Sequence, residues 1–391
     1  MMSVLVLLVL LVAVGLPLAL LGIPVTPLSV IVLAAALFPL ARRVRLAPIA
    51  LEESWPRPAA LLARIALFLA LALFLWKIAL APLWSWDHFA IWGMKSRLML
   101  NQGRLDLGFL SLPGFERSVT YYPVGLPMLW RLLALGGLPG TVFFKIVHAL
   151  FGLALVAVTR RGVLRLGRSP AMADALAALL AASPLLWDTI TVGLADLPLA
   201  LWATAGLVLA LESEDWPAGI CLGFLPWIKQ EGLTLALLAL IAAAVILPKG
   251  RKALFLSAGL LIAGALAIGR MLPKAGPTFF HGDWQERALE RLSRPGEILT
   301  MLGSDLIAPD WLGFWFLFAA GVGFVLWRRN RTALLLAGVV LLQLGLYAAV
   351  YFFTYLPATG HILSSFTRIA AALVPLGMLM IASVSSKPRA A

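Results

Sequence analysis

The chain has 391 residues, of which 62% are hydrophobic and only 13% charged, with a formal net charge of +13. That balance excludes a soluble globular domain and matches a multispanning membrane protein, because a bilayer core of roughly 30 Å is crossed by about 20 apolar residues and such runs recur along the whole chain. A single cysteine, Cys221, excludes an intrachain disulfide, and the basic residues flank apolar runs instead of covering a polar face, which argues against a nucleic-acid partner.

In chain order, apolar runs predict spans at 3–22, 25–41, 59–80, 140–158, 170–187, 196–212, 216–229, 232–248, 252–272, 311–327, 332–352 and 367–385. The first run lacks a small-residue cleavage site and reads as a span, not a removed signal peptide. Twelve crossings describe an all-α polytopic protein with one transmembrane domain over 1–391. They place Arg42, Arg43 and Arg45, the cluster Arg160 to Arg168, Lys249 to Lys252, Arg328 to Arg331, and Lys387 with Arg389 on one side. The positive-inside rule makes that side cytoplasmic, and with it both termini. The external segments are then 81–139 and 273–310, with shorter ones around 188–196, 229–232 and 353–367. No GxxxxGK[ST], GxGxxG, HExxH or CxxC pattern is present, so nucleotide hydrolysis, dinucleotide redox chemistry and zinc proteolysis have no support.

The external segments hold the chain's unusual polar residues. In "WSWDHFAIWGMKSRLML" (84–100), Asp87 is placed to cap a helix on which His88, Trp92 and Lys95 form one stripe and Ile91, Met94 and Leu98 another. Such a helix lies along the membrane interface with its apolar stripe in the headgroup boundary. An ordinary reading stays open, in which Asp87 and Asp196 only cap helices, the tryptophans anchor and Lys95 is solvated. Further along stand "TYYPVGLPMLW" (120–130), "WDTITVGLADLPLALW" (187–202), "WIKQEGLTL" (227–235) and "HILSSFTRIAAALVP" (361–375).

In order and sidedness this series, from about residue 59 to the end, resembles the GT-C membrane glycosyltransferases, specifically the bacterial relatives of protein mannosyltransferases and lipid A aminoarabinose transferases. The resemblance implies that Asp87, in the first large external loop, is the catalytic base or positions the acceptor. It matches Tyr121, Tyr122 and Pro123 to the family's tyrosine and proline element, although "PVGLP" stands where the aminoarabinose transferases have a tandem proline. It also matches Asp196 to the acidic residue of the second external corner and Arg368 to an arginine on the donor phosphate. The two spans before residue 59 fall outside the pattern.

The chemistry asks for the same groups. Sugar transfer from a polyprenyl phosphate needs a base for the acceptor hydroxyl and positive charge for the departing phosphate, both near the headgroups. Lys95, Lys229 and Arg368 are the candidate cations, each on the side the positive-inside rule disfavours; snorkelling from a span end is the alternative for the two lysines. A span starting at 367 puts Arg368 at a helix N-terminus, where the dipole opposes a cation and a bound phosphate relieves the conflict. Second-rank candidates are His88, Asp188, Glu231, His281 and His361. "HGDWQERALERLSRPGE" (281–297) reads as an amphipathic interfacial helix with Trp284, Leu289 and Leu292 toward lipid. No metal-ligand spacing joins His281, His361, Asp87 and Asp196, so no obligatory metal or cofactor is expected, a divalent ion remaining an option.

The expected activity is transfer of one sugar from a polyprenyl monophosphate to a lipid, glycan or protein acceptor, with inversion, at the periplasmic face of a bacterial inner membrane. Two rivals stand beside it. An O-antigen-ligase-type glycan transferase would use His281, Arg287, Arg291 and Arg294, and a transporter or flippase would carry inverted repeats and broken midplane helices.

Overall fold

The computed structural model describes residues 1–49, 51–81, 85–101, 103–112, 114–115, 119–191, 193–247, 249, 251–273 and 282–384, the side chains at 189–191 excepted. The chain begins with α1 (Met2–Leu20), α2 (Pro27–Ala41) and α3 (Arg57–Leu80), then a π-helical turn, Asp87–Trp92, that runs directly into α4 (Gly93–Leu98). It continues through α5 (Gly125–Leu133), α6 (Thr141–Arg165), α7 (Pro170–Ala182), α8 (Pro184–Thr191), α9 (Asp196–Leu211), α10 (Asp215–Gly223), α11 (Leu225–Ile228) and α12 (Gly232–Ile246). The rest is α13 (Arg251–Met271), α14 (Trp284–Ser293), α15 (Gly296–Leu306), α16 (Phe314–Arg328), α17 (Arg331–Phe353), α18 (Ala358–Ala371) and α19 (Val374–Ser383). Among the described residues the only strands are Leu100–Asn101 and Arg104–Leu105, paired antiparallel.

Local chemistry sets several of these boundaries. α2 starts at a capping box in which Ser29 N–H donates to Thr26 Oγ1 at 3.2 Å and Thr26 N–H to Ser29 Oγ at 2.8 Å, with Pro27 in the first turn, where its missing N–H costs nothing. Ser169 before Pro170 and Asn330 before Arg331 cap α7 and α17 more simply, each side-chain oxygen accepting one N–H, from Met172 and Ala333. Prolines also break what the hydropathy pattern joins. The run 170–187 is interrupted at Ser183 ahead of Pro184, and 216–229 at Phe224 ahead of Pro226, which has no N–H to continue the ladder.

The last span, expected at 367–385, is instead a pair of helices, α18 and α19, bent by 44° before Pro375. This corrects the reading of Arg368. It lies in the last turn of α18, where the helix dipole favours a cation, so the supposed conflict is absent.

Among the described residues five helices, α1, α3, α6, α13 and α17, are long and apolar enough to cross a membrane, or six if the bent pair α18–α19 is one span. The other apolar helices are shorter: α9, with 16 residues, extends about 24 Å at 1.5 Å per residue, less than a hydrocarbon core.

The chain forms two compact units. The first comprises Met1–Ala50, Leu75–Val158 and Thr189–Gly276, and the second Leu51–Phe74, Thr159–Asp188 and Pro277–Ala391. In the first, α9 is buried along its entire length, with α10 and α12 packed against it. α10 meets α13 closely because Gly219 and Gly223 leave room: a Cβ on Gly219 would fall 2.3 Å from Leu254 O, and one on Gly223 2.8 Å from Ala258 Cα. This is the small-xxx-small solution to helix pairing in an apolar setting. In the second, Ile298, Leu302, Tyr351, Phe352, Ile362 and Phe366 form a cluster joining α15, α17 and α18. α3 turns Leu61, Leu62, Ile65, Phe68, Leu69 and Trp76 outward, an apolar surface suited to lipid.

Candidate functional site

The π-helical turn fixes the first part of the site. Asp87 sits inside it and not at the cap: Trp86 takes that position without a side-chain hydrogen bond, which corrects the capping expectation. π-turns carry one extra residue per turn and recur at functional positions. Asp87 is partly exposed, while His88, Trp92 and Lys95 are all buried. The stripe read from the sequence is therefore real, and it faces the protein interior. Of the apolar set, Ile91 is buried and Leu98 exposed.

Lys95 is 0% exposed, so the solvated reading fails. Its ammonium donates to Val119 O at 3.0 Å, Thr120 O at 3.3 Å and Tyr122 O at 2.9 Å. Burial lowers its pKa to about 7. His88 lies edge-on to Phe144, with ring centroids 4.5 Å apart, and to Phe89 at 5.2 Å. Gly193, at φ +73°, comes so close that a Cβ there would stand 2.5 Å from His88 Nδ1. Burial first, then His148 and Arg97, push the His88 pKa down to about 4, with the Gly193 backbone opposing, so the ring is neutral at pH 7.

The second part is an ion cluster at the start of α9 and the α11–α12 break. Lys229 Nζ lies 2.8 Å from Asp196 Oδ1 and 2.6 Å from Glu231 Oε1. The Asp196 and Lys229 side chains are 3% and 6% exposed, Glu231 26%. A buried ammonium flanked by two carboxylates is neutralised where it stands. Gly232 allows the break, since a Cβ there would be 2.1 Å from Leu225 O.

The turn carrying Tyr121 and Tyr122 adjoins both parts. Tyr122 stacks on Trp92 at 5.5 Å and meets Tyr121 edge-on at 5.5 Å, and Gln230 Nε2 donates to Tyr121 O at 3.4 Å. Burial is the main cause that raises the Tyr122 hydroxyl pKa; the negative charge of Glu231 and Asp87 and neighbouring Tyr121 add to it, and Lys229 opposes. The first unit thus gathers Asp87, His88, Lys95, Tyr121, Tyr122, Asp196, Lys229 and Glu231 from four separate segments of sequence.

The remaining candidates belong to the second unit or lie outside the description. Asp188 is exposed. His361 Nδ1 is 3.1 Å from Thr354 Oγ1, with its ring edge-on to Tyr351. His281 lies outside the described residues. In α14, Leu289 and Leu292 are exposed as expected, whereas Trp284 packs on Phe353. Arg291, from the ligase-type alternative, spends its donors on the backbone, to Tyr351 O and Thr354 O at 2.8 Å each and to Leu356 O at 3.0 Å.

Two residues escaped the sequence reading. Asp305 receives Thr367 Oγ1 at 2.7 and 2.6 Å on its two oxygens, and burial raises its pKa despite that bond. Arg131 is buried with Nη2 on Gly136 O at 2.8 Å and no described acceptor for Nε or Nη1. It stands one residue beyond the "TYYPVGLPMLW" motif, in an apolar context that hides a charge by sequence alone. Among the described residues no group of three or more His, Cys, Asp or Glu side chains could hold a metal ion.

No family model, no curated protein and no solved structure matches this chain.

Proposed function

We propose that the chain is a membrane glycosyltransferase of the GT-C kind, moving one sugar from a polyprenyl monophosphate to an acceptor at the periplasmic face of a bacterial inner membrane. The observation that carries this reading is the meeting, in one unit, of the motif residues from 84–100, 120–130, 187–202 and 227–235. Asp87 is the base: it is partly exposed, whereas Asp196 is buried. It takes the proton of the acceptor hydroxyl as that oxygen attacks the anomeric carbon; the sugar–phosphate C–O bond breaks and polyprenyl phosphate leaves with the electron pair, giving inversion. Asp196 orients the site through Lys229. The donor-phosphate role of Arg368, a residue of the second unit, rests on the family resemblance alone, and no resident metal is required.

A twelve-crossing path with both termini cytoplasmic belongs to the same proposal. What supports it is the sidedness of polar contacts within each unit. In the first, Val25 N–H to Gly103 O, Thr120 Oγ1 to Pro273 O and Gln230 to Tyr121 O join segments assigned outside, and Arg45 N–H to Glu214 Oε1 joins two assigned inside. In the second, Arg291 to Thr354 O and Thr367 to Asp305 join outside segments, and Arg168 to Ala382 O and Asn330 to Ser383 O join inside ones.

The test is turnover of purified protein with a panel of polyprenyl monophosphate sugars. Asp87→Asn is expected to abolish transfer while leaving the melting temperature unchanged; full activity in that variant sinks the assignment. The transporter reading has its own support in the breaks at Ser183, Phe224 and 372–373, which the sequence reading did not foresee. Movement of a lipid-linked sugar across proteoliposomes without any transfer would favour it.

A further inference from the structure

The turn Val119–Tyr122 is gripped from four directions within the first unit. Lys95 Nζ reaches three of its carbonyls at 2.9–3.3 Å. Thr120 Oγ1 donates to Pro273 O at 2.9 Å, beyond the end of α13. Gln230 holds Tyr121 O from the α11–α12 break, and Trp92 stacks on Tyr122.

An ammonium has three N–H groups and no acceptor, so three carbonyls use all of them. Among the described residues the cage contains no carboxylate, in contrast to that of Lys229. It also encloses a strained residue. Val119 has φ 49°, a left-handed conformation that is costly for a β-branched side chain and persists only where its surroundings over-determine it.

A lysine whose every donor is spent on one turn has no N–H left to hydrogen-bond a ligand. What it does set is the position of that turn. We propose that Lys95 is a positioning residue: its ammonium, caged by the carbonyls of Val119, Thr120 and Tyr122, fixes Tyr121 and Tyr122 against Asp87 and the Lys229 cluster, and it does not touch the donor phosphate. The importance of this for turnover rests on the transferase reading above; the clamp itself does not.

The test therefore has two arms. Lys95→Met keeps the length and apolar stem and removes the charge. Amide hydrogen exchange in the 119–124 segment is expected to quicken about tenfold or more, with α9 and α13 unchanged; unchanged exchange in this segment overturns the proposal. If Lys95→Met does not fold, Lys95→Arg replaces it. A planar guanidinium cannot aim N–H groups at three carbonyls around one point, so exchange should still quicken, and wild-type protection would overturn the cage.

The second arm uses polyprenyl monophosphate sugars. A displaced turn is expected to lower kcat by roughly 100-fold with donor KM nearly unchanged. A selective rise in donor KM would mean that Lys95 meets the phosphate directly, and it overturns the positioning role. If the wild-type protein turns over no donor of this class, the transferase reading falls, and the exchange arm alone decides the clamp.

Discussion

Lys95 and Lys229 are two buried lysines of the same unit, and they are held by different means. Lys229 is held by the carboxylates of Asp196 and Glu231, Lys95 by three backbone carbonyls. Carboxylates bring formal charge and long side chains from distant helices, so the Lys229 cluster ties the start of α9 to the α11–α12 break. Carbonyls bring only dipoles, and they tie the cation to one short turn. A buried cation beside a site is therefore poor evidence of a phosphate contact until its partners are counted.

The largest effect is expected where the more buried formal charge is removed. Asp196→Ala deletes the more buried carboxylate on Lys229 and should destabilise the protein by about 3–5 kcal/mol, whereas Glu231→Gln should cost about 1 kcal/mol or less, since solvent screens the loss of the more exposed one. Chemical denaturation in detergent measures both. Equal costs would mean that burial does not rank the two carboxylates.

The next effect concerns the contact joining the two lysine neighbourhoods. His88 belongs to the helical segment of Lys95, and Gly193 to the corner that leads into Asp196. Gly193→Ala places a Cβ 2.5 Å from His88 Nδ1 at a positive φ, and about 2 kcal/mol of destabilisation is expected. A melting temperature equal to wild type would show that the corner yields freely.

The smallest signal is one of pH. The folded pKa of Lys95, about 7, lies below its ordinary 10.5, so between these values the unfolded chain binds more protons and stability rises with pH. Above about pH 10 the raised Tyr122 hydroxyl acts in the opposite direction, because the folded state then holds its proton longer. Melting temperatures of wild type and Lys95→Met between pH 7 and 10 should diverge with that slope; parallel curves would remove the burial account.

Much of the residue cluster in the first unit was legible because its members are polar interruptions in apolar sequence. The His88, Trp92, Lys95 stripe followed from helical spacing, and it survived even though the helix begins as a π-turn with Asp87 inside it. Arg368 shows the limit. Its place at a helix start was inferred from where hydropathy resumes, but backbone hydrogen bonding begins at Ala358, and the break falls before Pro375. Hydropathy records transfer between water and lipid and is blind to which amide bonds to which carbonyl.

By itself the sequence determined the class: a helical chain with apolar runs long enough to cross a membrane, and charged residues concentrated near the joints between them. That follows from composition and period, which are local properties. Only the tertiary structure decided which joints meet, that Lys229 is shared by two carboxylates, that Lys95 is closed in by carbonyls, and that α9, no more apolar to the eye than α3, is buried on every side. Those outcomes depend on close approach between segments from 24 to 153 residues apart, set by glycine gaps, proline breaks and side-chain packing that no local window contains.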